Sequence, residues 1–145
     1  MVLFTACGDD NDHMGGMNGM NGMSGMDASA PPGTIVVQLT NWAVEASQSS
    51  AQAGSITFRA VHPMSHMRAG NEGGKIHDLA VARKNADGSY DVLGQVKDIR
   101  MGRSKDLKLT LSPGEYELQC NVVEEVKGKM ISHYIEGMRT AFTVS

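Results

Sequence analysis

No apolar run in this chain approaches the ~20 residues that a membrane-spanning helix requires, so any hold on a membrane has to come from an attached lipid. Aromatics make up only 5% of the 145 residues, and Trp42 is the single indole available as a large anchor. Basic residues are absent from the first 33 positions, which carry Asp9, Asp10, Asp12 and Asp27; all 13 Lys and Arg come later, where 12 acids nearly balance them. The net charge of −3 offers no basic surface for nucleic acid or acidic lipid. Cysteine is limited to Cys7 and Cys120. A bridge between them would fasten a tail to the end of a core strand and add little to the fold, so no disulfide is expected. Paired carboxylates in a plausible cleft, a nucleophile motif and an extended His cluster are also lacking, and enzymatic catalysis is not expected.

What is present divides the chain in three. Residues 1–7, MVLFTAC, look like the end of a lipoprotein signal peptide: apolar residues run into Thr5 and Ala6, and Cys7 would be the acylated first residue of the mature chain. The other reading is a chance apolar N-terminus with an idle thiol. On the lipoprotein reading the chain is anchored through Cys7 at a periplasmic or extracellular membrane face.

Residues 8–33, GDDNDHMGGMNGMNGMSGMDASAPPG, are low in complexity and too poor in apolar surface to order themselves. Within them Met14, Met17, Met20, Met23 and Met26 recur every third residue, just after His13. Thioether sulfur is a soft donor suited to Cu(I), and a flexible chain can wrap several around one ion. Incidental composition is the alternative, although exposed methionines oxidise readily and are a poor choice for a plain linker.

From Thr34 onward the pattern is all-β. Thr34–Thr40 sets Ile35, Val37 and Leu39 on one face, and Ser55–Val61 does the same with Ile56, Phe58 and Ala60. Further strands are expected over Ile76–Arg83, Tyr90–Val96, Leu107–Leu111, Glu115–Asn121 and Thr140–Val144. Turns at Asn85-Asp87-Gly88 and Pro113-Gly114 separate some of them. Ala43–Ala53 is the one place where a helical turn is expected. Residues 34–145 therefore predict a Greek-key β-sandwich of seven or eight strands. Cys120 shares the phase of Tyr116 and Leu118, hence points inward if those two are core.

The C-terminal segment YELQCNVVEEVKGKMISHYIEGMRTAFTV delivers a thiol, an imidazole and a thioether in order, Cys120, His133 and Met138, and closes with a strand. Together with Pro113-Gly114, Tyr116, Gly137-Met138 and Phe142-Thr143-Val144 it resembles the cupredoxins, the blue-copper family. That resemblance covers residues 34–145 and is most specific over 113–144. It implies a further imidazole from an earlier strand, and GKIHDLAV puts His77 there. The implied metal ligands are His77, Cys120, His133 and Met138 around one copper ion, with electron transfer to redox partner proteins as the activity and a monomer as the unit. The resemblance also implies that His133 is the ligand nearest the surface, with Ile131, Ile135 and Ala141 as a docking patch.

The donor chemistry makes sense on its own terms. A site cycling between Cu(I) and Cu(II) needs ligands acceptable to both states, and two His with one Cys in a plane and a weak axial Met is such a set. Two features depart from the family pattern. Twelve residues, Asn121–Ser132, separate Cys120 from His133 where two to four are usual, so a hairpin with a polar tip at Glu124, Glu125, Lys127, Gly128 and Lys129 is expected to return His133 to the site. Met130 within it is the weaker axial candidate. Asp78 follows His77 where many members carry Asn.

A second cluster, His62, Met64, His66 and Met67, sits in an expected loop after the Phe58 strand. It reads either as a further Cu(I) site, as the source of the imidazole in place of His77, or as an ordinary Met-rich loop. Three functions therefore compete: an electron carrier, a copper-binding carrier or resistance protein that uses the Met-rich tether and this loop, and a metal-free binding module.

Overall fold

A computed structural model of the chain describes residues 30–64 and 74–145. Cys7, His13, the five tether methionines, His66 and Met67 lie outside the described residues. The strands are β1 (Thr34–Thr40), β2 (Ala43–Ala46), β3 (Ser50–Ala51), β4 (Gly54–Val61), β5 (Ile76–Lys84), β6 (Tyr90–Arg100), β7 (Ser104–Leu111), β8 (Gly114–Gln119), β9 (Val123–Val126), β10 (Lys129–Ser132) and β11 (Arg139–Val144). One helical turn, α1 (His133–Glu136), lies between the last two strands. Among the described residues no helix is long and apolar enough to cross a membrane.

The all-β sandwich expected from the alternation is present. One sheet runs β2-β1-β4-β7 and the other β3-β11-β8-β5-β6, with β9 and β10 as a separate hairpin. Both large sheets are mixed, because β1 lies parallel to β4 and β3 parallel to β11. Seven strands are six residues or longer; the others are short edge or hairpin pieces. Inward residues follow the period of two that the pleat imposes. Ile35, Val37, Leu39, Ile56, Phe58 and Ala60 from the first sheet meet Leu79, Val81, Tyr116, Leu118, Phe142 and Val144 from the second in one buried core. Phe58 and Phe142 join the layers edge to face, with ring centroids 5.4 Å apart. Tyr116 fixes the turn before β8, its hydroxyl donating to the Ser112 carbonyl at 2.6 Å.

Two local expectations are corrected. Ala43–Ala53 holds no helical turn: Val44 is buried, β2 pairs with β1 from Val37↔Ala46 to Thr40↔Ala43, and Ser50–Ala51 runs beside β11. The polar Gln and Ser residues there face solvent, and sheet-edge pairing overrides their helix tolerance. β6 also runs on to Arg100, past the expected end at Val96. A bulge explains the difference, since His77 pairs with Ile99 while Leu79 pairs with Val96. The extra residue on β6 breaks the simple alternation that marks a strand in sequence.

Candidate metal centre

β5 brings His77 to the inner face, and Cys120 leaves the end of β8 beside it. The chain then departs in the expected hairpin, β9 to β10, turning at Lys127 (φ 51) and Gly128 (φ 76). The paired strands return the chain to its starting point, where the His133 amide donates to the Val122 carbonyl at 2.9 Å. Ser132 caps α1, its hydroxyl accepting from Ile135 N. Gly137 ends the turn at φ 124, a conformation that side-chain-bearing residues rarely adopt, and a Cβ there would stand 3.2 Å from the Trp42 carbonyl. Met138 is then clamped to both neighbours: its amide donates to the His133 carbonyl and its carbonyl accepts from the Cys120 amide, each at 3.0 Å.

His77, Cys120, His133 and Met138 are all fully buried. Nδ1 of His77 lies 3.2 Å from Nδ1 of His133. Cys120 Sγ lies 3.8 Å from the first of these nitrogens and 3.5 Å from the second. A triangle with those sides has a circumradius of about 2.0 Å, which is the metal–nitrogen bond length, about 2.0–2.1 Å, and only slightly short of a metal–sulfur bond, about 2.3 Å. These three residues form a cluster that can hold a metal ion, and both imidazoles offer the same ring atom to it.

The electrostatics keep His77 available as a donor and Cys120 protonated. Burial, then the charges of His62 and His133, push His77 down from 6.5 to about 3, so this ring stays neutral and keeps a lone pair. Burial pushes the Cys120 thiol up, opposed by the amides of Asp78 and Val122. Asp78 N donates to Sγ at 3.3 Å. Without a cation the thiol keeps its proton; a metal ion supplies the charge that releases it. The Asp78 carboxylate points elsewhere, accepting from the Asp98 amide at 2.9 Å across the β5–β6 bulge.

The sequence-based ligands thus converge, and Met138 is buried beside them. Met130 does not: its register partner is Glu125 on the outer face of the hairpin, and it is 63% exposed. His62 does not replace His77. It is buried behind it, ring centroids 4.5 Å apart, with Nδ1 donating to the Ile99 carbonyl at 3.1 Å. Met64 is 72% exposed. His133 is not a surface residue, although Ile135 beside it is 77% exposed.

Two neighbours of the site were missed. Trp42 packs edge-on to His133 with centroids 4.9 Å apart, and nothing in the sequence ties a β1–β2 turn to a ring 91 positions later. Glu124 accepts a hydrogen bond from His133 Nε2 at 2.8 Å. Its only sequence signal is strand phase, since it shares a hairpin face with the half-buried Val126 and Ile131. No family model and no curated protein matches the chain.

Proposed function

We propose that this chain is a mononuclear copper protein that carries electrons between partner proteins, in which His77, Cys120 and His133 would hold the ion and the thioether of Met138 would be a weaker fourth donor. One observation carries the reading: two Nδ1 atoms and one Sγ form a buried triangle whose centre lies about 2.0 Å from each. Copper is favoured over zinc by the donor set. Structural zinc takes four strong ligands, and catalytic zinc keeps an open position for water; here the fourth donor at hand is a buried thioether, which suits copper. When bound, copper supplies a one-electron couple between Cu(I) and Cu(II).

The chain's own contribution is stiffness. His77 lies near the start of β5, paired with Ile99 of β6, and Met138 is tied by backbone bonds to His133 and Cys120, which would limit movement of the donors on a change of redox state. The cupredoxin resemblance, including its Greek-key path and monomeric unit, belongs to this same reading. So does a lipid on Cys7 that holds the domain by its Met-rich tether at a periplasmic or extracellular face. The second reading is a copper-binding carrier, in which Met14, Met17, Met20, Met23 and Met26, or the loop with His62, Met64, His66 and Met67, hold further Cu(I).

Titrating the full chain with Cu(II) while recording the visible spectrum tests this. An electron carrier turns intensely blue or green at one equivalent, keeps that colour when residues 8–33 are deleted, and loses it in Cys120→Ser. Colour that survives Cys120→Ser overturns the ligand assignment. Several Cu(I) bound per chain, with the count falling on deletion of residues 8–33, favours the carrier reading.

A further inference from the structure

The two imidazoles of the cluster are held differently on their far sides. Nε2 of His77 is buried with no hydrogen-bond partner in the described structure. Nε2 of His133 meets a carboxylate, Glu124 Oε1, at 2.8 Å. The same oxygen accepts the Gly74 amide at 2.5 Å. Gly74 adopts φ +76, and a Cβ there would overlap the Asn41 side chain, so its amide comes close enough to bind the carboxylate only because no side chain is present. Glu124 reaches this point because the hairpin register sets it opposite Ile131, on the face turned toward the site, while Glu125 faces outward opposite Met130. The inserted segment between Cys120 and His133 thus returns the ligand and also places an acid on its outer edge.

A carboxylate oxygen only accepts, so the hydrogen bond to Glu124 places a ring proton on Nε2 of His133 and leaves Nδ1, on the side of Cys120 and His77, as the atom that can give a lone pair to an ion. Hydrogen-bonded carboxylates of this kind fix the tautomer and orientation of a metal-bound histidine and raise its basicity. Trp42 packs edge-on to the same ring, centroids 4.9 Å apart.

We infer that Glu124 is a positioning residue for His133: it holds the Nε2 proton, aims Nδ1 at the ion, and makes this imidazole the stronger donor to the oxidised metal. The inference rests on the copper reading above. A more basic ligand favours Cu(II) over Cu(I), so the acid lowers the reduction potential.

The test uses the full chain, with Glu124→Gln, Glu124→Ala and, as a control on the outer face, Glu125→Gln. Glu124→Gln keeps a carbonyl oxygen for the His133 and Gly74 N–H groups but loses the charge. Its Cu(II) affinity should fall about tenfold relative to its Cu(I) affinity, the lower end of what loss of such a partner costs, which raises the potential by about 59 mV. Glu124→Ala should lose more Cu(II) affinity, and 15N spectra of the metal-free protein should show His133 no longer confined to the Nε2–H tautomer. Glu125→Gln should match the wild type. If Glu124→Ala does not fold, Glu124→Gln decides alone. A Glu124→Gln potential equal to or below the wild-type value overturns the inference while leaving the copper site intact. A wild-type chain that binds no copper sinks the underlying reading instead.

Discussion

Replacing Gly137 by alanine tests whether the loop carrying His133 and Met138 is held as described. The residue adopts φ 124 and ψ 4, and holding an L-residue in so sparsely populated a region costs about 1–3 kcal/mol. Alanine returns about 0.4–1 kcal/mol by restricting the unfolded chain. The added Cβ also meets the Trp42 carbonyl at 3.2 Å, a contact that one of the two segments must yield to relieve. The net destabilisation should be about 1–2 kcal/mol, a fall in Tm of roughly 4–10 °C for a domain of this size. Gly88→Ala is the comparison, since Gly88 has φ 86 but nothing within 4 Å of a Cβ; it should carry a backbone cost with no packing cost. Thermal unfolding of both metal-free variants, followed by circular dichroism, gives the difference. Trp42 packs on His133 and Met138 bonds to its carbonyl, so Gly137→Ala should also weaken metal binding while Gly88→Ala should not. A Gly137→Ala protein as stable as Gly88→Ala, with unchanged metal affinity, would refute the reasoning.

Further outcomes follow from the same geometry. His77 has a folded pKa of about 3 against 6.5, so between those values the unfolded chain binds the proton that the folded chain refuses. Metal-free stability should therefore decline as pH falls below about 6.5, by up to about 1.4 kcal/mol per pH unit; urea titrations at pH 7 and pH 5 should show a smaller decline in His77→Gln, and equal declines count against the assignment. Because burial raises the Cys120 thiol, metal binding near neutral pH should release at least one proton. Calorimetry in buffers of different ionisation enthalpy measures this, and buffer-independent heats contradict it. Met138→Leu should retain the ion and raise the reduction potential through loss of the thioether, and voltammetry giving an unchanged potential removes Met138 from the site.

Much of the sandwich was legible because strands such as β4 and β8 bury alternate residues, and β5 reads as a continuous apolar run buried on both faces. Ile35, Val37 and Leu39 announce β1 to the residue, and Tyr116, Leu118 and Cys120 give the phase that turns the thiol inward. The cluster of His77, Cys120 and His133 was legible because a thiol and two imidazoles fall at the ends of strands. Tertiary contacts hid the rest. β2 and β3 are edge strands of four and two residues, too short to show a pattern of their own and specified by their partners. The bulge opposite Asp78 displaced Ile99 from the alternation. Glu124 read as part of a solvated hairpin tip, because a charge in a short strand carries no mark of which face is covered. His62 read as a loop residue, yet its ring packs against that of His77 on β5.

X-ray absorption at the copper edge, on the full chain with one equivalent of copper, tests the central claim most directly. Two nitrogen scatterers at about 2.0 Å and one sulfur at about 2.3 Å are expected, with the sulfur lost in Cys120→Ser. A copper ion surrounded only by nitrogen and oxygen, or by thioether sulfurs alone, would contradict it.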